Sequence, residues 1–133
     1  MEGRDLTVGL AGGRIAIGVA SLLAPGFVGR TMTGRDGSEG ATSLFVRMVG
    51  ARDLGLGLGL LIAVNHGGPV RGWLEASAVV DGIDATACVV ARGDIRRSVL
   101  PGAVGLAATG ALLSAWLARQ PDPAQSPPSG ARR

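Results

Sequence analysis

Five charged side chains lie deep inside apolar runs of this chain, away from their ends: Arg14, Arg52, Asp53, Asp81 and Asp84. Arginine and aspartate in such a setting can neutralise one another and so fix which segments meet. Where carboxylates outnumber arginines, a carboxylate can also hold and release a proton. Three aspartates face two arginines here, and Asp81 is the acid expected to carry the surplus proton. Both chemistries require separate elements that bring the five groups to one level.

Those elements are apolar runs bounded by breakers. The run 44–64 holds Arg52 and Asp53 near its middle, and at about 1.5 Å per residue it reaches across the roughly 30 Å of a bilayer's hydrocarbon core. The run 6–24 contains Arg14 and stops at Ala24-Pro25-Gly26. Asn65-His66-Gly67-Gly68-Pro69 is a strong stop before the run 72–91, which holds Glu75, Asp81 and Asp84. Arg92-Gly93-Asp94-Ile95-Arg96-Arg97 reads as a charged hairpin connection. The run 98–117 follows, with Pro101 in its first turn, where proline is tolerated.

The expected fold is all-α: a four-transmembrane-helix antiparallel bundle, with helices at about 6–24, 44–64, 72–91 and 98–117 in a membrane domain spanning 1–119. The polar, glycine-rich stretch 27–43 is expected to be a loop in water. The Pro/Ser/Gly-rich tail 120–133 is expected to be disordered. Residues 1–5 lack net positive charge and Arg14 interrupts the first apolar run, so 6–24 reads as a membrane helix rather than a cleaved signal peptide.

Composition supports the membrane reading. The chain has 23 glycines and only 3% aromatic residues. Glycine weakens a helix in water by about 1 kcal/mol relative to alanine, yet it is common in membrane helices, where it lets backbones approach. Gly9 with Gly13, and Gly55 with Gly59, have the spacing expected to seat neighbouring helices. The run 72–91 would insert poorly alone, because each central Asp costs about 2.5–3.5 kcal/mol while each Val, Ile or Leu returns about 0.3–0.6. It is therefore expected in the bundle interior, its carboxylates facing protein. Arg47 and Glu75 lie towards helix ends and are expected to snorkel.

Several function classes are disfavoured. One cysteine, Cys88, allows no internal disulfide, redox pair or cysteine-ligated zinc site. His66 stands alone in a turn and reads as a surface residue; neither a metal nor a cofactor is expected. The net charge of +3 comes from scattered arginines without a basic stripe, so no nucleic-acid partner is expected. Gly55-Leu56-Gly57-Leu58-Gly59 fails as a dinucleotide fingerprint, because Leu60 or Ile62 occupies the last glycine position.

Depth counting across antiparallel hairpins puts Arg52 level with Asp84 and Arg14 level with Asp53, with Asp81 one turn from Asp84 on the same face. The functional expectation is a multi-pass integral protein of the cell membrane, an accessory or self-associating bundle in which this layer sets register and partner choice. Its partners would be the lipid bilayer and either a second copy or another membrane protein. The alternative is a small proton-coupled carrier or permease using Asp81 or Asp84. A third reading, a membrane oxidoreductase subunit or isomerase acting on a lipid-soluble substrate, lacks a helix-borne histidine, a tyrosine or a cysteine pair. Arginines are equally divided between the two ends of the bundle; discounting the tail favours termini outside.

Two stretches, Gly50-Ala51-Arg52-Asp53-Leu54-Gly55-Leu56-Gly57 and Val80-Asp81-Gly82-Ile83-Asp84-Ala85, resemble a family of small bacterial four-helix membrane proteins, the domain-of-unknown-function family number 4267. The resemblance covers about 6–117. It implies the four-helix membrane fold and carries no activity with it.

Overall fold

The computed structural model describes residues 2–34 and 40–121. The chain forms five helices: α1 (Glu2–Leu23), α2 (Pro25–Thr33), α3 (Gly40–Asn65), α4 (Arg71–Val90) and α5 (Leu100–Ala118), with no strand among the described residues. The all-α expectation holds, but the count of four does not. Pro25 ends α1 and at once begins α2, because its fixed φ suits the first helical turn while Ala24 before it is driven out of helical geometry, at φ −132° and ψ 59°. Gly34 closes α2 in the left-handed region, at φ 73°, its N–H donating to the Arg30 carbonyl at 3.0 Å. Much of what was expected to be loop between 27 and 43 is thus helix; its residues 35–39 lie outside the described residues, as does the tail from 122 to 133.

Two long helices also begin earlier than apolarity suggests. The polar start of α1 is helical from Glu2, with Thr7 donating to the Gly3 carbonyl at 2.7 Å, and α3 starts at Gly40 rather than 44. Among the described residues, two helices, α1 from Gly3 and α5, are long and apolar enough to cross a membrane by length and composition.

The helices pack as two pairs: α1 lies along α3, and α4 along α5. Although α3 and α4 are consecutive, they meet less closely; the Trp73 ring lies against Gly59, where an added Cβ would collide with it. Glycine allows the α1–α3 contact. A Cβ at Gly18 would lie 2.7 Å from the Gly50 carbonyl oxygen and the Leu54 nitrogen, and one at Gly57 would lie 2.8 Å from the Ala11 carbonyl oxygen. Gly9, Gly13 and Gly55, expected at packing seams, instead face open space, with no atom within 4 Å of an added Cβ. Spacing alone fixed a stripe of small residues without saying which stripe meets the neighbouring helix.

The apolar core is small. Ala11, Leu60, Ala63, Val70, Leu74, Leu117 and Ala118 cluster at the end of the bundle nearest the α3–α4 turn. Elsewhere, beside Val28 and Val46, the buried side chains are polar or charged: Thr7, Arg14, Ser21, Ser43, Asp53, Ser77, Asp81 and Ser114. The outside is apolar on every long helix, with Leu6, Phe45, Ile62, Ile83, Leu112 and Trp116 exposed. Nor is α4 enclosed, as its acids suggested: Val79, Ile83 and Val90 form an outward apolar face, while Leu74, Ser77 and Asp81 point in.

Candidate functional site: a buried arginine–aspartate layer

Arg14 projects from α1 into the middle of the bundle, 6% exposed. Its Nη1 donates to Asp53 Oδ1 on α3 at 3.2 Å, and its Nη2 donates to Asp81 Oδ2 on α4. Arg52 on α3 takes Asp84 with both arms of its fork, Nη1 to Oδ1 at 3.0 Å and Nη2 to Oδ2 at 2.7 Å, and Nη2 also reaches Asp53 Oδ1 at 3.2 Å. The five groups form one alternating chain, Asp81–Arg14–Asp53–Arg52–Asp84, running through three helices. A planar guanidinium suits this role because it offers donors in several directions and stays charged.

Local helix geometry explains the arrangement. Consecutive residues on a helix diverge by about 100°, so Arg52 and Asp53 leave α3 towards different neighbours: Asp53 towards α1, Arg52 towards α4. Asp81 and Asp84, three apart, share one face of α4. Burial is graded along the chain. The side chains of Arg14, Asp53 and Asp81 are 7–12% exposed, whereas those of Arg52 and Asp84 are 30% and 34% exposed.

Depth counting anticipated both Arg52–Asp84 and Arg14–Asp53. It missed Arg14–Asp81, because it compared only helices consecutive in sequence, and α1 and α4 are not. It also missed Gly110. The Asp81 carboxylate lies against this glycine on α5, where an added Cβ would collide with Oδ2. A glycine at the depth of a buried acid on the antiparallel neighbour was the available signal.

Outside the layer, charges are settled locally. Arg47 bonds the Ser43 hydroxyl and, at 3.3 Å, the Leu22 carbonyl. Arg71 Nε meets Glu75 Oε1 at 2.7 Å on an exposed face. His66 is exposed, its Nδ1 3.0 Å from the Ile62 carbonyl, and Cys88 is half-buried. No group of three His, Cys, Asp or Glu side chains converges to hold a metal among the described residues. An open apolar groove of about 480 Å³ runs along the outer side of α4, between Ala78 and Val90, and none of the five charged residues lines it.

The class defined by this fold and site is an all-α protein with a polar interior, an apolar exterior and a buried chain of ion pairs joining two helix pairs. Comparison with protein-family models, with curated proteins and with solved structures finds no match to this chain.

Proposed function

We propose that the chain is a four-span integral protein of the cell membrane, an accessory or self-associating bundle in which the arginine–aspartate chain clamps the α1–α3 pair to the α4–α5 pair. The observation that carries this reading is the alternation of charges across the seam between the pairs. In hydrocarbon no water replaces a missing partner, so α3 and α4 can cross only with their charges mutually neutralised. The inverted polarity of the molecule supports the same reading, since an exterior of Leu, Ile, Val and Phe suits lipid. The resemblance to the four-helix membrane family points the same way.

The unmatched third carboxylate favours a second reading, a proton-coupled carrier working through Asp81 or Asp84. Against it, each aspartate is already held by an arginine, and the groove on α4 does not reach them.

The test is a charge swap. Arg52→Asp and Asp84→Arg, each alone, are expected to cost about 2.5–3.5 kcal/mol, since lipid offers the partly exposed group no water in place of its lost partner. The double swap is expected to recover part of that loss. Additive losses in the double-mutant cycle would remove the clamp. In the same preparations, the wild-type chain is expected to stay in the membrane fraction through an alkaline carbonate wash, and its release would refute the membrane reading.

A further inference from the structure

Helix α2 takes no part in the charge layer. Before it, α1 runs apolar from Gly3 to Leu23, 21 residues, which at about 1.5 Å per residue uses up the roughly 30 Å of a hydrocarbon core. Pro25 then turns the chain at Ala24, so α2 begins where the hydrocarbon ends. It touches α1, α3 and α5 and therefore lies across the end of the bundle opposite the α3–α4 turn. Val28 is buried against the bundle, while at the elbow Leu23 and Phe27 point away from protein, 79% and 68% exposed.

Positive charge gathers at the same end. Gly34, which closes α2, lies against Arg96, whose Cδ would be 2.5 Å from an added Cβ. That contact joins α2 to the non-helical connection 91–99, where Arg92, Arg96 and Arg97 are all exposed. Among the described residues none of the three forms an ion pair, and Asp94 is the only acid in the connection. The sequence between α2 and α3 adds Arg35 against Asp36 and Glu39; with Arg30 and Arg47 also at this end, the excess stays positive. At the opposite end Arg4, Arg71 and Arg119 are matched by Glu2, Asp5 and Glu75. Guanidinium groups suit phosphate, which they can hold with two parallel hydrogen bonds. A soluble anion would meet the arginines alone, whereas an anionic phospholipid meets them with its headgroup and meets Leu23 and Phe27 with its chains.

We propose that the α2 end of the bundle docks anionic phospholipid, Arg92, Arg96 and Arg97 holding the headgroup phosphates while Leu23 and Phe27 sink into the acyl region beside them. The inference rests on the membrane reading above and adds a lipid class to it. It also orients the chain, since the arginine-rich end stays on the cytoplasmic side, with α1 beginning and α5 ending outside. Each arginine near an anionic surface is worth about fivefold in affinity, so three together give about a hundredfold.

The experiment titrates fluorescently labelled phosphatidylglycerol into the full chain in neutral detergent. Labelled phosphatidylcholine is the zwitterionic comparison, and inorganic phosphate at matched ionic strength is the competitor. Phosphatidylglycerol is expected to bind about a hundredfold more tightly than phosphatidylcholine at low salt, the preference shrinking as salt rises. Arg92→Gln, Arg96→Gln and Arg97→Gln together should abolish that preference, whereas lysine at the same three positions should keep most of it, which separates lost charge from misfolding. Arg4→Gln, Arg71→Gln and Arg119→Gln together should leave it intact. Phe27→Asn should weaken both lipids alike, because the acyl contact does not depend on the headgroup. Equal affinity for the two lipids would overturn the proposal, as would equal losses from the two sets of glutamine substitutions. So would full displacement of phosphatidylglycerol by inorganic phosphate, since the arginines would then serve a free anion. A chain that resists the carbonate wash yet binds both lipids equally keeps the membrane reading and loses this one.

Discussion

Replacing Arg14 by methionine is expected to destabilise the protein by about 3–5 kcal/mol, the cost of leaving a buried charge without its partner. A typical domain has only about 5–15 kcal/mol in total, so much of the folded population would be lost. The reason is Arg14's place in the chain of charges. Asp53 keeps a second arginine, Arg52, at 3.2 Å, but among the described residues Asp81 has Arg14 alone. Methionine fills a similar volume and restores no charge, so the loss reports the uncompensated acid rather than a cavity. Adding Asp81→Asn to Arg14→Met should therefore recover much of the loss, whereas adding Asp84→Asn, which touches Arg52 and not Arg14, should recover none. Denaturant or thermal unfolding of the detergent-solubilised chain measures all three. Equal rescue by the two asparagine variants would show that Arg14 is not specifically the counter-charge of Asp81.

The layer was largely legible because charge inside an apolar run is a strong signal: hydrocarbon or protein interior makes it costly, and pairing is the common remedy. Depth along a hairpin is also nearly fixed by where its turn lies, which is why Arg52 met Asp84 as counted. Rotation about the helix axis is not fixed in that way. Gly9 and Gly13 on the one hand, and Gly18 on the other, have the same chemistry and lie in the same helix, but only Gly18 faces α3. Pairing order was hidden for a related reason. The short turn before Pro69 implies a tight α3–α4 hairpin, yet α3 packs chiefly along α1, where Gly18, Gly50 and Gly57 let the backbones approach. Helix α2 is concealed by its polar composition, because Pro25 marks a stop in the sequence and serves equally as a helix start.

The face that a glycine occupies should decide the sign of one and the same substitution. Alanine at Gly18 puts its Cβ 2.7 Å from two backbone atoms of α3, the Gly50 oxygen and the Leu54 nitrogen, and backbone cannot swing aside as a side chain can. The helices must separate, and the expected loss is about 3 kcal/mol, at the upper end of what overpacking costs. Gly57→Ala should cost a similar amount and do something more. Its Cβ would press on the Ala11 oxygen at 2.8 Å and on Arg14's own Cβ at 3.0 Å, pushing Arg14 away from Asp53. Its loss should therefore shrink when Arg14 is already methionine, whereas the loss at Gly18 should not. Gly59→Ala meets the Trp73 ring, which is 39% exposed and able to turn outwards, so a smaller loss is expected there. At Gly9, Gly13 and Gly55 nothing lies within 4 Å, and alanine should be neutral or stabilising by up to about 1 kcal/mol through helix propensity. Unfolding midpoints of the six variants under one set of conditions provide the ranking. Were Gly13→Ala to cost as much as Gly18→Ala, α1 would have to meet its partner through the other face, and the route from Arg14 to both Asp53 and Asp81 would be lost with it.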